Sequence, residues 1–108
     1  MKLDGEFCVA TTMKIVGSKW TAVILYQLMS GTKRFGQIQN SIKGISPKIL
    51  STRLQELAKQ GIISRKVYAE VPLHVEYTLT KRGESLNAII MQMYQWGKKS
   101  LRDSSNFS

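Results

Sequence analysis

The sequence is poor in the residues on which most protein chemistry depends. Cys8 is its only cysteine and His74 its only histidine. One cysteine excludes an internal disulfide, and one histidine excludes a metal site or a catalytic pair built on two. There is no glycine-rich phosphate loop, and no apolar run approaches the roughly 18 residues of a membrane span. The opening Met-Lys-Leu-Asp-Gly-Glu has no basic region followed by an apolar stretch. No signal peptide is expected from it, and the cytoplasm is the expected location. Neither an enzyme nor a cofactor is expected. Acids are scarce too: seven Asp and Glu face sixteen Lys and Arg, leaving a net charge of +9. Such an excess suits a polyanionic partner, either nucleic acid or an anionic membrane surface.

What is present is enough to fold. At 108 residues and 43% hydrophobic content the chain suits a single domain over 1–108 with one core, ending in a polar, fraying tail from about 103 to 108. The charge is concentrated in the middle. Between Lys33 and Lys66 stand Lys33, Arg34, Lys43, Lys48, Arg53, Lys59, Arg65 and Lys66 against the single acid Glu56, so this third of the chain carries seven of the nine net charges.

Apolar spacing predicts a short helix over Val9 to Val16, closed by Gly17, and a second, core helix from Ser18 to Gly31. Thr32-Lys33-Arg34 reads as an extended connector. Phe35, Ile38 and Ile42 then recur at helical spacing up to Gly44. Ser46 caps a fourth helix and Pro47 takes its first position, where a missing N–H costs nothing. At about 100° per residue, Leu50, Leu54 and Leu57 share one side of that helix, while Lys48, Thr52, Gln55 and Lys59 lie opposite. After Gly61, Ile62 to Tyr68 and His74 to Thr80 read as a hairpin around Glu70-Val71-Pro72. Thr80 then caps one long last helix striped by Leu86, Ile89, Ile90, Met93 and Trp96. The fold class expected is mostly α with a small β-hairpin: a winged helix-turn-helix with extra N- and C-terminal helices.

A helix that enters the DNA major groove needs a buried side to fix its angle and an outer side of donors for bases and phosphates. The fourth helix has both. Lys48, Ser51, Thr52 and Gln55 are the candidate base contacts, and Arg53 is a candidate phosphate contact. Ser46 and Pro47 stand at the helix entry, and Arg65 and Lys66 are the candidate phosphate contacts of the wing. Polar residues on a helix also suit a merely solvated face. The local charge, the Ser-Pro start, the preceding short helix and the following hairpin favour the groove-facing reading. The alternative from another class is a small basic RNA- or nucleoid-binding protein without operator specificity.

Several stretches together resemble the HxlR-type transcriptional regulators, winged-helix relatives of the MarR proteins. They are Cys8, Ile15-Val16-Gly17-Ser18-Lys19-Trp20, Arg34-Phe35, Gly44-Ile45-Ser46-Pro47-Lys48-Ile49-Leu50, Arg53-Leu54, Glu56-Leu57, Gly61-Ile62-Ile63, Arg65, Val71-Pro72 and Val75-Glu76-Tyr77-Thr78-Leu79-Thr80. The resemblance implies a homodimeric regulator that binds double-stranded DNA at an inverted-repeat operator through the fourth helix. It also implies a dimer interface from the terminal helices, where Val9, Met13, Leu86, Ile90 and Met93 suit the role. At Cys8 it implies a thiol sensor of oxidants or electrophiles, while packing of a small apolar residue explains the same cysteine. The chain departs from the pattern at Val9, where a proline is frequent, and at Leu73-His74, where many members carry proline followed by Arg or Lys.

Overall fold

The computed structural model describes residues 4–103. Helix α1 (Gly5–Val16) leads into α2 (Lys19–Leu28), a two-residue strand β1 (Lys33–Arg34), α3 (Phe35–Ser41) and α4 (Pro47–Lys59). Strands β2 (Ile63–Tyr68) and β3 (His74–Leu79) follow, then a single helical turn α5 (Lys81–Glu84) and the long α6 (Asn87–Asp103). This is a winged helix-turn-helix with an added helix at each end. Its core lies where α2, α3 and α4 meet the base of the sheet, with Ile24, Leu25, Leu28, Ile38, Leu50, Leu54, Leu57 and Ile62 fully enclosed.

Both ends of α4 are set by local chemistry. Ser46 Oγ accepts the Ile49 amide at 3.1 Å, and Pro47 opens the helix. At the other end Gly61 adopts φ +73°, a conformation open chiefly to glycine, and donates to the Ala58 carbonyl. The next amide, of Ile62, reaches back to the Leu57 carbonyl at 2.9 Å. These paired bonds stop the helix and turn the chain straight into β2.

Three sequence expectations are corrected. Thr32-Lys33-Arg34 is more than a connector: Lys33 and Arg34 pair with Tyr77 and Glu76, making a three-stranded antiparallel sheet in the order β1-β3-β2. The first helix begins earlier, at Gly5, because Asp4 caps it by accepting the Phe7 amide at 2.7 Å. The last helix is broken. Thr80 caps only α5, its hydroxyl accepting the Gly83 amide while facing the Gly61 and Ile62 carbonyls. The chain then turns at Ser85-Leu86 before α6 begins. Of the expected polar tail, Asp103 closes α6, and 104–108 lie outside the described residues.

Candidate nucleic-acid interface

The buried leucines of α4 turn its other side outward, and that side is where the polar candidates stand. Lys48, Thr52 and Gln55 are exposed in a row at helical spacing, with Ser51 half-buried beside them. Thr52 Oγ1 donates back to the Lys48 carbonyl at 2.9 Å, which fixes the hydroxyl and leaves its oxygen outward. Gln55 Nε2 stands 3.5 Å from Ser51 Oγ, a long contact that leaves the amide free to exchange partners. Pro47 is exposed at the helix entry, whereas the Ser46 hydroxyl is engaged in capping. Arg53 is half-exposed and forms an ion pair with Glu56 at 3.3 Å, while its Nε is buried without a protein partner. Its guanidinium is therefore held along the helix rather than presented freely.

Arg65 and Lys66 are both exposed on β2, but successive strand residues point to opposite faces of the sheet. Lys66 shares its face with Tyr68, and its Nζ lies 4.9 Å from that ring's centre. Arg65 lies on the opposite face, in register with the buried Tyr77. One cation therefore stands on each side of the wing. The wing tip presents Val71, wholly exposed, and Leu73, and neither carries charge.

The wing also assembles a cluster that sequence spacing alone leaves scattered. The His74 ring places Nδ1 at 2.6 Å from Glu70 Oε1 and Nε2 at 3.3 Å from Glu76 Oε2. It stacks on Tyr68 with centroids 4.5 Å apart. The signal available in sequence was two glutamates flanking the lone histidine across an expected turn.

The expected interface stripe divides in two. Ile90 is 4% exposed within the core and Leu86 packs against that core, so both are committed within the protomer. Val9, Met13 and Met93 are exposed and line an apolar groove of about 700 Å³ between α1, α2 and α6, completed by Ala22 and Ile89. Trp96 continues the apolar ridge of α6 and is 75% exposed. Cys8 is exposed on α1, one residue before Val9, and its carbonyl accepts the Thr12 hydroxyl. Among the described residues no group of three or more His, Cys, Asp or Glu can hold a metal, and no helix is long and apolar enough to cross a membrane.

Known proteins share this arrangement. The family model of the HxlR-like helix-turn-helix matches residues 15–105. YdeP of Bacillus subtilis, described as an uncharacterized HTH-type transcriptional regulator, is 42% identical over 97 residues, covering 89% of this chain and 76% of YdeP. The HTH-type transcriptional regulator YodB of the same organism is 40% identical over 86 residues, covering 80% of this chain and 77% of YodB. The solved structure of the redox regulator HypR in its reduced form superposes with a TM-score of 0.84 at 36% identity, covering 93% of this chain and 98% of that one.

Proposed function

Since the chain belongs to the HxlR-like helix-turn-helix family of transcriptional regulators, we propose that it binds an inverted-repeat operator in double-stranded DNA as a homodimer. The chain acts as one DNA-binding domain in the cytoplasm. Helix α4 enters the major groove at Ser46 and Pro47, with Lys48, Ser51, Thr52 and Gln55 toward base edges. Arg53, Arg65 and Lys66 meet phosphates, Arg53 by exchanging its Glu56 partner for one. The observation that carries this reading is the exposed row of Lys48, Thr52 and Gln55 on a helix whose opposite side is buried and whose entry is capped. Val9, Met13 and Met93 form the dimer contact, with Leu86 and Ile90 supporting it from the core beneath.

The test is affinity for the DNA flanking its own gene against random duplex at one salt concentration, where a specific regulator prefers the former by at least about a thousandfold. Thr52→Ala and Gln55→Ala weaken binding to the cognate site more than to random DNA. Lys66→Ala weakens both, and lowers the salt slope of log K by about 0.9 per protomer. Equal affinity for both DNAs favours a general nucleic-acid binder instead.

Regulation through Cys8 is part of the same proposal. The thiol is exposed beside the apolar groove, and HypR, to which the chain is similar, is described as a redox regulator. Oxidation to a sulfenic acid, a mixed disulfide or an intersubunit disulfide, or alkylation by an electrophile, adds bulk there and moves the two α4 helices relative to each other. Diamide or a quinone then releases wild-type protein from DNA and leaves Cys8→Ser bound. Retention of wild type with Cys8 modified refutes the sensing role.

A further inference from the structure

We propose that His74 is a positioning residue of the wing: doubly protonated, it holds Glu70 and Glu76 and leaves Lys66 free to meet DNA phosphates. The inference rests on the DNA-binding reading above and adds a proton to it.

The geometry asks more of His74 than a neutral ring supplies. Each ring nitrogen faces a carboxylate oxygen, Nδ1 that of Glu70 and Nε2 that of Glu76. A neutral imidazole has one N–H, so it donates to one carboxylate and turns a lone pair on the other. Only the imidazolium donates to both. The side chain is 13% exposed and stacked on Tyr68, so it cannot simply swing into water to relieve the mismatch.

Losing the second proton redistributes charge across the wing. From Val67 to Thr80 there is no Lys or Arg, so within this stretch His74 is the one group that can set a positive charge beside Glu70 and Glu76. Glu76 is flanked across the sheet by Lys66 of β2 and Arg34 of β1, its register partners. On the α3 side, His74 shares a cleft with Arg34, Gln37 and Asn40, so among the described residues Arg34 is the charged group lining that cleft. Lys66 now rests over the Tyr68 ring and makes no ion pair with Glu76. A Glu76 released by neutral His74 has Lys66 as its neighbour on the same face, and it competes with phosphate for that cation. Glu70, exposed at the turn, adds a second repelling charge near the DNA. The sign follows: binding is tighter when His74 is protonated, weakens as pH rises, and takes up protons from solvent.

The test uses full-length protein and a duplex of arbitrary sequence, because the contact is to backbone. Wild-type affinity falls about three- to tenfold as pH is raised from mildly acid to mildly alkaline. Calorimetry in buffers of different ionisation enthalpy shows uptake of a fraction of a proton per protomer. His74→Gln binds weakly with a flat pH profile. Glu70→Gln with Glu76→Gln binds tightly with a flat profile, which a purely structural role of the histidine does not produce. Lys66→Ala loses most of the pH dependence along with its salt-slope increment, keeping only the smaller share that repulsion by Glu70 supplies. Circular dichroism confirms that each variant is folded. The same pH profile in wild type and His74→Gln, or full pH dependence in Lys66→Ala, overturns this inference and leaves the DNA reading intact. Absence of duplex binding at every pH overturns both.

Discussion

At the scale of single residues, the positions with the firmest consequences are those whose reason lies elsewhere in the chain. Gly83 is buried with its bare Cα against the Ile62 backbone, and a Cβ there runs into the Ile62 carbonyl oxygen. That carbonyl also accepts the Thr80 amide at 3.0 Å, so it is not free to move aside. Gly83→Ala therefore costs about 2 kcal/mol, seen as a lower urea midpoint with an unchanged denaturant slope. Nothing in the neighbouring Lys-Arg-Gly-Glu text announces this contact. Thr80 was legible as a cap because Thr at a strand end is a local signal. Its second role, donating to carbonyls at the end of α4, depends on the fold bringing Gly61 alongside.

Elements sort by how local their causes are. Helix α4 was legible because its cap, its proline, its leucines and its terminating glycine all lie within sixteen residues of sequence, from Ser46 to Gly61. Ser46→Ala removes the acceptor for the Ile49 amide and is expected to cost about 1 kcal/mol of stability, measured by chemical denaturation. Were the serine an ordinary surface residue, the loss would be near zero. The start of α1 has a local signal of its own: Asp4 stands three residues before Phe7, the ordinary spacing of a side-chain cap. The break before α6 was not readable. Leu86 sits in the turn itself yet keeps three- and four-residue spacing to Ile89 and Ile90 of α6, so periodicity does not mark the turn as outside the helix. Strand β1 is two residues long, too short for alternation, and exists only because β3 lies beside it.

The whole molecule is more extended than its length requires. Its radius of gyration is 15.9 Å, against about 13 Å for a compact chain of this size. Its principal extents, 52 × 44 × 22 Å, make it a flattened body rather than a sphere. Helix α6 is anchored to α2 by the stacked rings of Tyr26 and Tyr94, 5.5 Å apart, yet it leaves Ile89, Met93 and Trp96 exposed. A homodimer that covers them sediments as such at micromolar concentration, and Met93→Asp raises its dissociation constant at least about tenfold. A monomer for wild type under those conditions refutes the assigned interface. The sheet order carries a consequence of another kind. Because β3 is central, β2 is bonded on one side only and offers its other side as an open template on which a foreign strand can add. Arg65 and Lys66 belong to that edge strand, one on each face, and their like charges discourage two molecules from joining edge to edge. Neutralising both while keeping the strand intact therefore exposes the protein to amyloid-like stacking, visible as thioflavin-positive precipitate in concentrated solution, where wild type stays clear. On the proposed reading, the basic pair assigned to DNA phosphates thus also keeps one molecule's open strand from pairing with another's.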